Sequence, residues 1–233
     1  MRINQTSGAD RVGAKQSLCP GLAIVKLGGS LATSPHLQEW LTAIASEAGA
    51  IVIVPGGGPF ADAVRDAQAA MRFDNAAAHE MAMMAMAQFG RALQSLDPAL
   101  RLAASSAAIR RTLREGKVPV WSPGRMARAA GLPESWELTS DSLAAWLAAA
   151  LGANRLVLVK HDRFPAQRLD VLELVASGVV DPLFPRFISN KGFRVSLAAP
   201  TDSARLSDGL RSELFPEIVQ TEDAIRNRAP AEE

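Results

Sequence analysis

The sequence predicts an α/β protein, a three-layer αβα sandwich with a mostly parallel central sheet covered by helices on both faces. Two observations predict it. Short apolar runs alternate with segments of helical periodicity along the chain. The first two runs each end in a glycine-rich turn, and a helix-like stretch follows each turn.

The first strand is Ala23–Leu27, and its turn reads Gly28-Gly29-Ser30. Pro35–Ala48 follows as a helix, with Leu37, Trp40, Leu41 and Ile44 on one face. Ile51–Val54 is the next strand, and Pro55-Gly56-Gly57-Gly58-Pro59 is its turn. A helix then covers Phe60–Met71. A longer helical pattern spans Asp74–Leu96, with Asp74 or Asn75 as its N-cap. Ser105–Glu115 is helical and stops at Gly116. Val118–Trp121 is a short strand, and Ser140 or Asp141 caps a helix over Ser142–Leu151. Arg155–Lys160 and Val195–Ala198 are the later strands. No repeat or low-complexity linker breaks this order. Residues 21–220 are therefore expected to form one domain, between a flexible segment 1–20 and a charged tail 221–233.

Composition narrows the function. The chain has 233 residues, 48% of them hydrophobic, enough for one large core. A net charge of +1 disfavours nucleic acid as a partner. The single Cys19 excludes an internal disulfide and suits a reducing compartment. Residues 1–20 are polar, without the apolar core of a signal peptide, and the most apolar later stretch, Ser142 to Ala153, is too short to span a bilayer. A cytoplasmic protein without a membrane partner is the expectation.

The two turns point to phosphate chemistry. Glycine lets backbone N–H groups approach an anion closely, and a helix N-terminus adds partial positive charge. Two such turns suggest two phosphates held close together, one from a donor and one at an acceptor. Their spacing matches neither a P-loop nor a dinucleotide fingerprint. Lys26 stands just before the first turn, where ligands gather at the carboxyl ends of strands. It is either a neutraliser of transferring phosphoryl charge or a solvated strand-end lysine. Gly56, Gly57 and Gly58 read as an anion cradle or as a plain tight turn; the cost of ordering three successive glycines favours the cradle. Asp62 and Arg65 lie one helical turn apart, and Arg65 pairs with an anionic acceptor or with its neighbour on the surface. Asp141 is either a cap or the carboxylate that positions two lysines. Lys160 ends the following strand and can reach the same pocket as Lys26.

His79 shares the long helix with Met81, Met83, Met84 and Met86, a composition typical of core or subunit interface. Its expected role is structural or interfacial, and no Cys/His metal cluster is present. Met81, Met84, Phe89 and Leu93 put apolar groups on more than one face of that helix, which predicts a homo-oligomer.

Taken in order, these pieces resemble the amino acid kinase superfamily, over roughly Ala23 to Leu210. Three segments narrow the resemblance: Val54-Pro55-Gly56-Gly57-Gly58-Pro59-Phe60-Ala61-Asp62, Ala78-His79-Glu80-Met81-Ala82, and Ser135-Trp136-Glu137-Leu138-Thr139-Ser140-Asp141-Ser142. They look like the branch containing the aminomethylfuran phosphate kinase of methanofuran biosynthesis. The resemblance implies an ATP-dependent kinase, with Mg²⁺ accompanying ATP, acting on a small phosphate or carboxylate acceptor. It implies that Lys26 and Lys160 stabilise the transferring phosphoryl group and that Asp141 orients them. Gly28, Gly29, Ser30, Lys160 and Asp162 would face the nucleotide. Gly56, Gly57, Gly58, Asp62, Arg65, Thr139 and Ser140 would face the acceptor. One departure stands out. Family members continue from this strand into an Asp-Gly turn, whereas Lys160-His161-Asp162-Arg163-Phe164-Pro165 has no glycine. A non-catalytic nucleotide- or anion-binding assembly protein of the same fold is the competing expectation, and a uridylate kinase-like enzyme the alternative among kinases.

Overall fold

The computed structural model describes residues 21–161, 163–164 and 168–220. Asp162, Cys19 and the expected flexible segment and tail lie outside the described residues. The strands in chain order are β1 (Ala23–Leu27), β2 (Ile51–Pro55), β3 (Leu100–Ala103), β4 (Val118–Trp121), β5 (Arg155–Val159), β6 (Arg168–Asp170), β7 (Arg194–Ala198) and β8 (Glu217–Val219). They form one sheet ordered β3-β4-β2-β1-β5-β7-β8-β6. Neighbours run parallel except β8, which runs against β7. The α-helices are α1 (Leu37–Ser46), α2 (Gly58–Met71), α3 (Asn75–Leu96), α4 (Ser106–Arg114), α5 (Gly124–Ala129), α6 (Ser140–Leu151), α7 (Val171–Ala176), α8 (Phe184–Ile188) and α9 (Leu206–Arg211).

Strand alternation sorts the core into two layers. Ile24, Val52, Val54, Leu156 and Leu158 pack on one face with Leu143, Leu147 and Leu151 of α6. Ala23, Val25, Ile51, Ile53 and Val157 pack on the other with Trp40, Leu41 and Ile44 of α1. Each fully buried aliphatic side chain contributes ~1.5–3 kcal/mol. The Trp40 indole N–H donates to the Pro200 carbonyl at 2.8 Å, so that buried ring leaves no donor unpaired.

The α/β expectation holds, and so do most strands. The differences are local. α2 begins at Gly58, inside the triple-glycine turn, because Pro59 suits a first helical turn. Asp74 caps α3 by accepting from the Ala77 N–H at 2.8 Å. β3, β6 and β8 and helices α5, α7, α8 and α9 have no counterpart in the sequence reading. Those strands span only three or four residues each, and those helices five or six, too few to repeat a period recognisably.

Candidate active site

Strand alternation places both lysines. Lys26 has the parity of Leu22 and Ile24, so it faces the α6 layer. β1 and β5 pair with Lys26 opposite Leu158. Lys160 lies two residues beyond Leu158 and therefore faces the same side one step along. Asp141, the second residue of α6, sits above both. Its Oδ1 lies 2.8 Å from Lys26 Nζ, and its Oδ2 accepts from Lys160 Nζ at 2.6 Å. The Lys26 and Asp141 side chains are each 5% exposed. Burial lowers the Lys26 pKa to about 8; Lys160 adds to that fall and Asp141 opposes it. Burial pushes the Asp141 carboxyl upward, but the two lysines outweigh it and hold the group below its ordinary value. Two cations share one anion, which leaves an unneutralised positive charge at the strand ends.

Asp141 is not the cap of α6. The helix starts at Ser140, and the N-cap Thr139 makes no side-chain cap bond of its own. Asp181 supplies it from a distant segment. Its carboxylate accepts from the Thr139 N–H at 3.0 Å, the Thr139 hydroxyl at 2.8 Å and the Ser142 N–H at 3.0 Å, and also from the Ser142 hydroxyl. Burial raises the Asp181 pKa, and Asp141 raises it further, against the pull of these hydrogen bonds. Asp181 thus satisfies the helix terminus, which frees Asp141 for the lysines.

The two glycine turns touch. A Cβ on Gly29 would stand 2.5 Å from the Gly58 nitrogen, and one on Gly56 would stand 2.5 Å from the Gly29 nitrogen. Gly58 has φ +54°, in the left-handed region. Backbone-to-backbone packing therefore requires glycine here, independent of any ligand. The same packing engages two of the turns' N–H groups. The Gly28 N–H donates to the Val159 carbonyl at 3.2 Å and the Gly56 N–H to the Leu27 carbonyl at 2.8 Å, so both are engaged within the fold.

A cavity of about 490 Å³ opens beside the turns. Its walls bring together Lys26, Gly29, Ser30, Gly57, Gly58, Asp62, Arg65, Thr139, Ser140, Asp141 and Lys160. Gly28 and Gly56 stand behind that wall. Gly29 and Ser30 open a short 3-10 helix, Gly29–Thr33, and Gly58 opens α2, so both contribute first-turn N–H groups.

Further wall or supporting residues escaped the sequence reading as site residues. Asp181 lines the cavity from the α6 cap. Trp136 lies under the Arg65 guanidinium, 4.5 Å from its ring centroid, while Arg65 also donates to Asp62 Oδ1 at 2.7 Å. The Trp136 indole N–H donates to Gln68 Oε1 at 2.7 Å, and Gln68 Nε2 donates to Asn75 Oδ1 at 3.1 Å and the Phe73 carbonyl at 3.2 Å. Arg65 is thus both paired and stacked, its planar face fixed by an aromatic ring. His79, with Met83 and Met86, forms an α3 wall. Among the described residues, no group of three or more His, Cys, Asp or Glu is arranged to hold a metal ion, and no helix is long and apolar enough to cross a membrane.

The sequence matches the amino acid kinase family over residues 21–162. The chain belongs to the amino acid kinase family. A relative in this family setting, the [5-(aminomethyl)furan-3-yl]methyl phosphate kinase of Methanocaldococcus jannaschii, is 27% identical over 154 residues, 63% of this chain and 71% of the relative. Uridylate kinase from Archaeoglobus fulgidus superposes with a TM-score of 0.65 at 18% identity, over 85% of this chain and 100% of that one. UMP kinase from Ureaplasma parvum gives 0.63 at 14% identity, over 86% and 98%. These structures share the amino acid kinase fold with the present chain. Family and relatives together make the protein a phosphotransferase.

Proposed function

We propose that this amino acid kinase family member transfers the γ-phosphoryl group of ATP to a small phosphate or carboxylate acceptor, with an aminomethylfuran phosphate as the first candidate. The observation that carries the reading is the Lys26–Asp141–Lys160 cluster at the floor of the cavity. Phosphoryl transfer spreads negative charge over three equatorial oxygens, and catalysis consists of positioning and charge stabilisation. Two lysines fixed on one buried carboxylate supply both. Gly29 and Ser30 serve the donor phosphates; Gly57, Gly58 and Arg65 serve the acceptor. Thr139 and Ser140 flank Asp141 on the acceptor side, with Asp62 steadying Arg65.

An acceptor phosphate or carboxylate is already an anion, so no general base is needed. Its oxygen bonds to the γ-phosphorus, the bond from that phosphorus to the β–γ bridging oxygen breaks, and ADP leaves. The product is a diphosphate or an acyl phosphate. The donor set suits a polyphosphate: two lysines and first-turn N–H groups. Asp141 and Asp181 are engaged by lysines and by Thr139 and Ser142, so Mg²⁺ would be carried on the nucleotide phosphates, where it neutralises their charge. A homo-oligomer formed by a single 21–220 domain belongs to the same reading, supported by exposed Met81 and Met84 on α3.

The test is ADP release from Mg-ATP with [5-(aminomethyl)furan-3-yl]methyl phosphate, with UMP as control. Turnover with the furan phosphate alone supports the reading. Preference for UMP moves the protein to the nucleotide kinases. Neither turnover nor ATP binding by folded protein moves it to the non-catalytic reading.

A further inference from the structure

His79 is 6% exposed, and its Nε2 is sealed from bulk water with no hydrogen-bond partner. A buried polar atom left unpaired costs as much as a lost hydrogen bond, so its persistence calls for an explanation. The Ser135 backbone engages the ring, and with Nε2 unpartnered that contact falls to Nδ1. An Nδ1–H that donates to this carbonyl leaves Nε2 as a lone-pair acceptor. Burial lowers the ring's pKa, with Ser135 and Glu134 opposing, which keeps the imidazole neutral. His79 lines the same cavity as Arg65, Gly57 and Gly58. Met83, one helical turn along, and Met86 share its wall. Unbranched methionine side chains rearrange at low cost when a ligand enters.

We propose that His79 Nε2 accepts a hydrogen bond from an amine on the acceptor, so that the cavity selects a molecule with an anion at one end and an N–H donor at the other. The inference rests on the acceptor reading above and names the group that the site discriminates. The anionic end goes to Arg65 and the glycine turn. Movement of Met83 or Met86 opens the sealed Nε2 to the amine, and an analogue lacking the amine leaves that acceptor unsatisfied. The amine-bearing compound gains this hydrogen bond and the analogue does not.

The probes are [5-(aminomethyl)furan-3-yl]methyl phosphate and its analogue with methyl in place of aminomethyl. The wild-type protein is expected to favour the amine-bearing compound by roughly ten- to a hundred-fold in kcat/KM. His79→Leu should erase that ratio while the melting temperature holds or rises, because an apolar side chain removes the orphaned acceptor. His79→Gln places an oxygen near the Nε2 position and should retain part of the ratio. A binding readout separates this inference from the kinase reading. With ¹⁵N-labelled imidazoles and no nucleotide, the amine compound should shift the Nε2 resonance of His79, assigned by its loss in His79→Gln; the methyl analogue should not. A shift without phosphorylation sinks the kinase reading and keeps this one. Phosphorylation of both compounds at equal efficiency overturns this one and keeps the kinase. If neither compound binds, this inference falls and the furan phosphate is removed as the acceptor, while turnover with UMP still decides the kinase reading. If His79→Leu does not fold, the resonance and His79→Gln still decide.

Discussion

Asp181 holds the end of the helix on which Asp141 stands. The first accepts the terminal N–H groups of α6, and the second, left without that duty, joins Lys26 and Lys160. Helix support and lysine pairing are thus divided between two buried carboxylates. Asp181→Ala should strip partners from two N–H groups and two hydroxyls, at ~1.5–3 kcal/mol for a charge-assisted contact. Thermal melting should register the loss, and turnover should fall with it as Asp141 drifts. Asp181→Asn keeps an acceptor oxygen and should recover much of both. An alanine variant with unchanged melting and turnover would show that α6 needs no such anchor.

Asp141→Asn tests the chemistry directly. Were the residue only a cap, asparagine would replace it well. Here its charge holds two lysines, so the substitution should lower turnover by roughly a hundred- to a thousand-fold, the ~2.7–4 kcal/mol of one preorganised electrostatic contact. Melting should fall less, because Lys26 can shed its proton once its counter-ion is gone. Near-normal turnover would remove Asp141 from the site.

The lysine pair was partly legible in the sequence, since Lys26 stands near the end of one apolar strand and Lys160 at the end of another; that they share a face follows only from the β1–β5 register. The glycine turns were legible too, although part of their meaning was not. Gly28 and Gly56 serve strand and turn packing, a fact that emerges only when the two turns are brought together. Asp181 was not legible. It lies in the short aperiodic run before Pro182, and nothing in the chain order links it to Thr139. Trp136 lies in the Ser135–Ser142 segment, yet its stacking partner Arg65 comes from a helix far earlier in the chain. Local pattern reads periodicity well and long-range side-chain pairing poorly.

Trp136→Leu should free the Arg65 guanidinium. A cation–π contact is worth ~0.5–2 kcal/mol, so the acceptor KM should rise about two- to thirty-fold, with a smaller effect on the KM for ATP. Gln68→Leu should act in the same direction but more weakly, because it loosens the indole without removing it. Steady-state kinetics with each substrate varied in turn gives the split. Equal effects on both substrates would mean that Trp136 serves the fold alone.

Met84 is 53% exposed and Met81 37%, side by side with the buried α3 residues Met83 and Met86. A partner chain on that face would cover them. Light scattering at micromolar concentration should give a mass above the 24.7 kDa of one chain, and Met84→Glu should shift it downward. A 24.7 kDa species throughout would count against the oligomer.

Lys26 gives activity and stability opposite slopes in the same pH range. Its pKa is lowered from 10.5 to about 8, chiefly by burial. As pH rises through about 8 the folded protein loses a cation it needs, so kcat/KM for ATP should decline there. Between about 8 and 10.5 the unfolded chain still binds the proton that the folded chain has released. Stability from this group therefore rises with pH across that window, since ∂ΔG/∂pH follows the excess protons bound by the unfolded state. The chain has no tyrosine, so that common titrating side chain does not obscure the effect. Lys26→Arg keeps the charge to higher pH; it should remove the alkaline decline, flatten the stability slope and reduce turnover through its different shape. If the wild-type activity stays level to pH 10, Lys26 either carries no charge in the reaction or keeps its proton far above the value its burial sets.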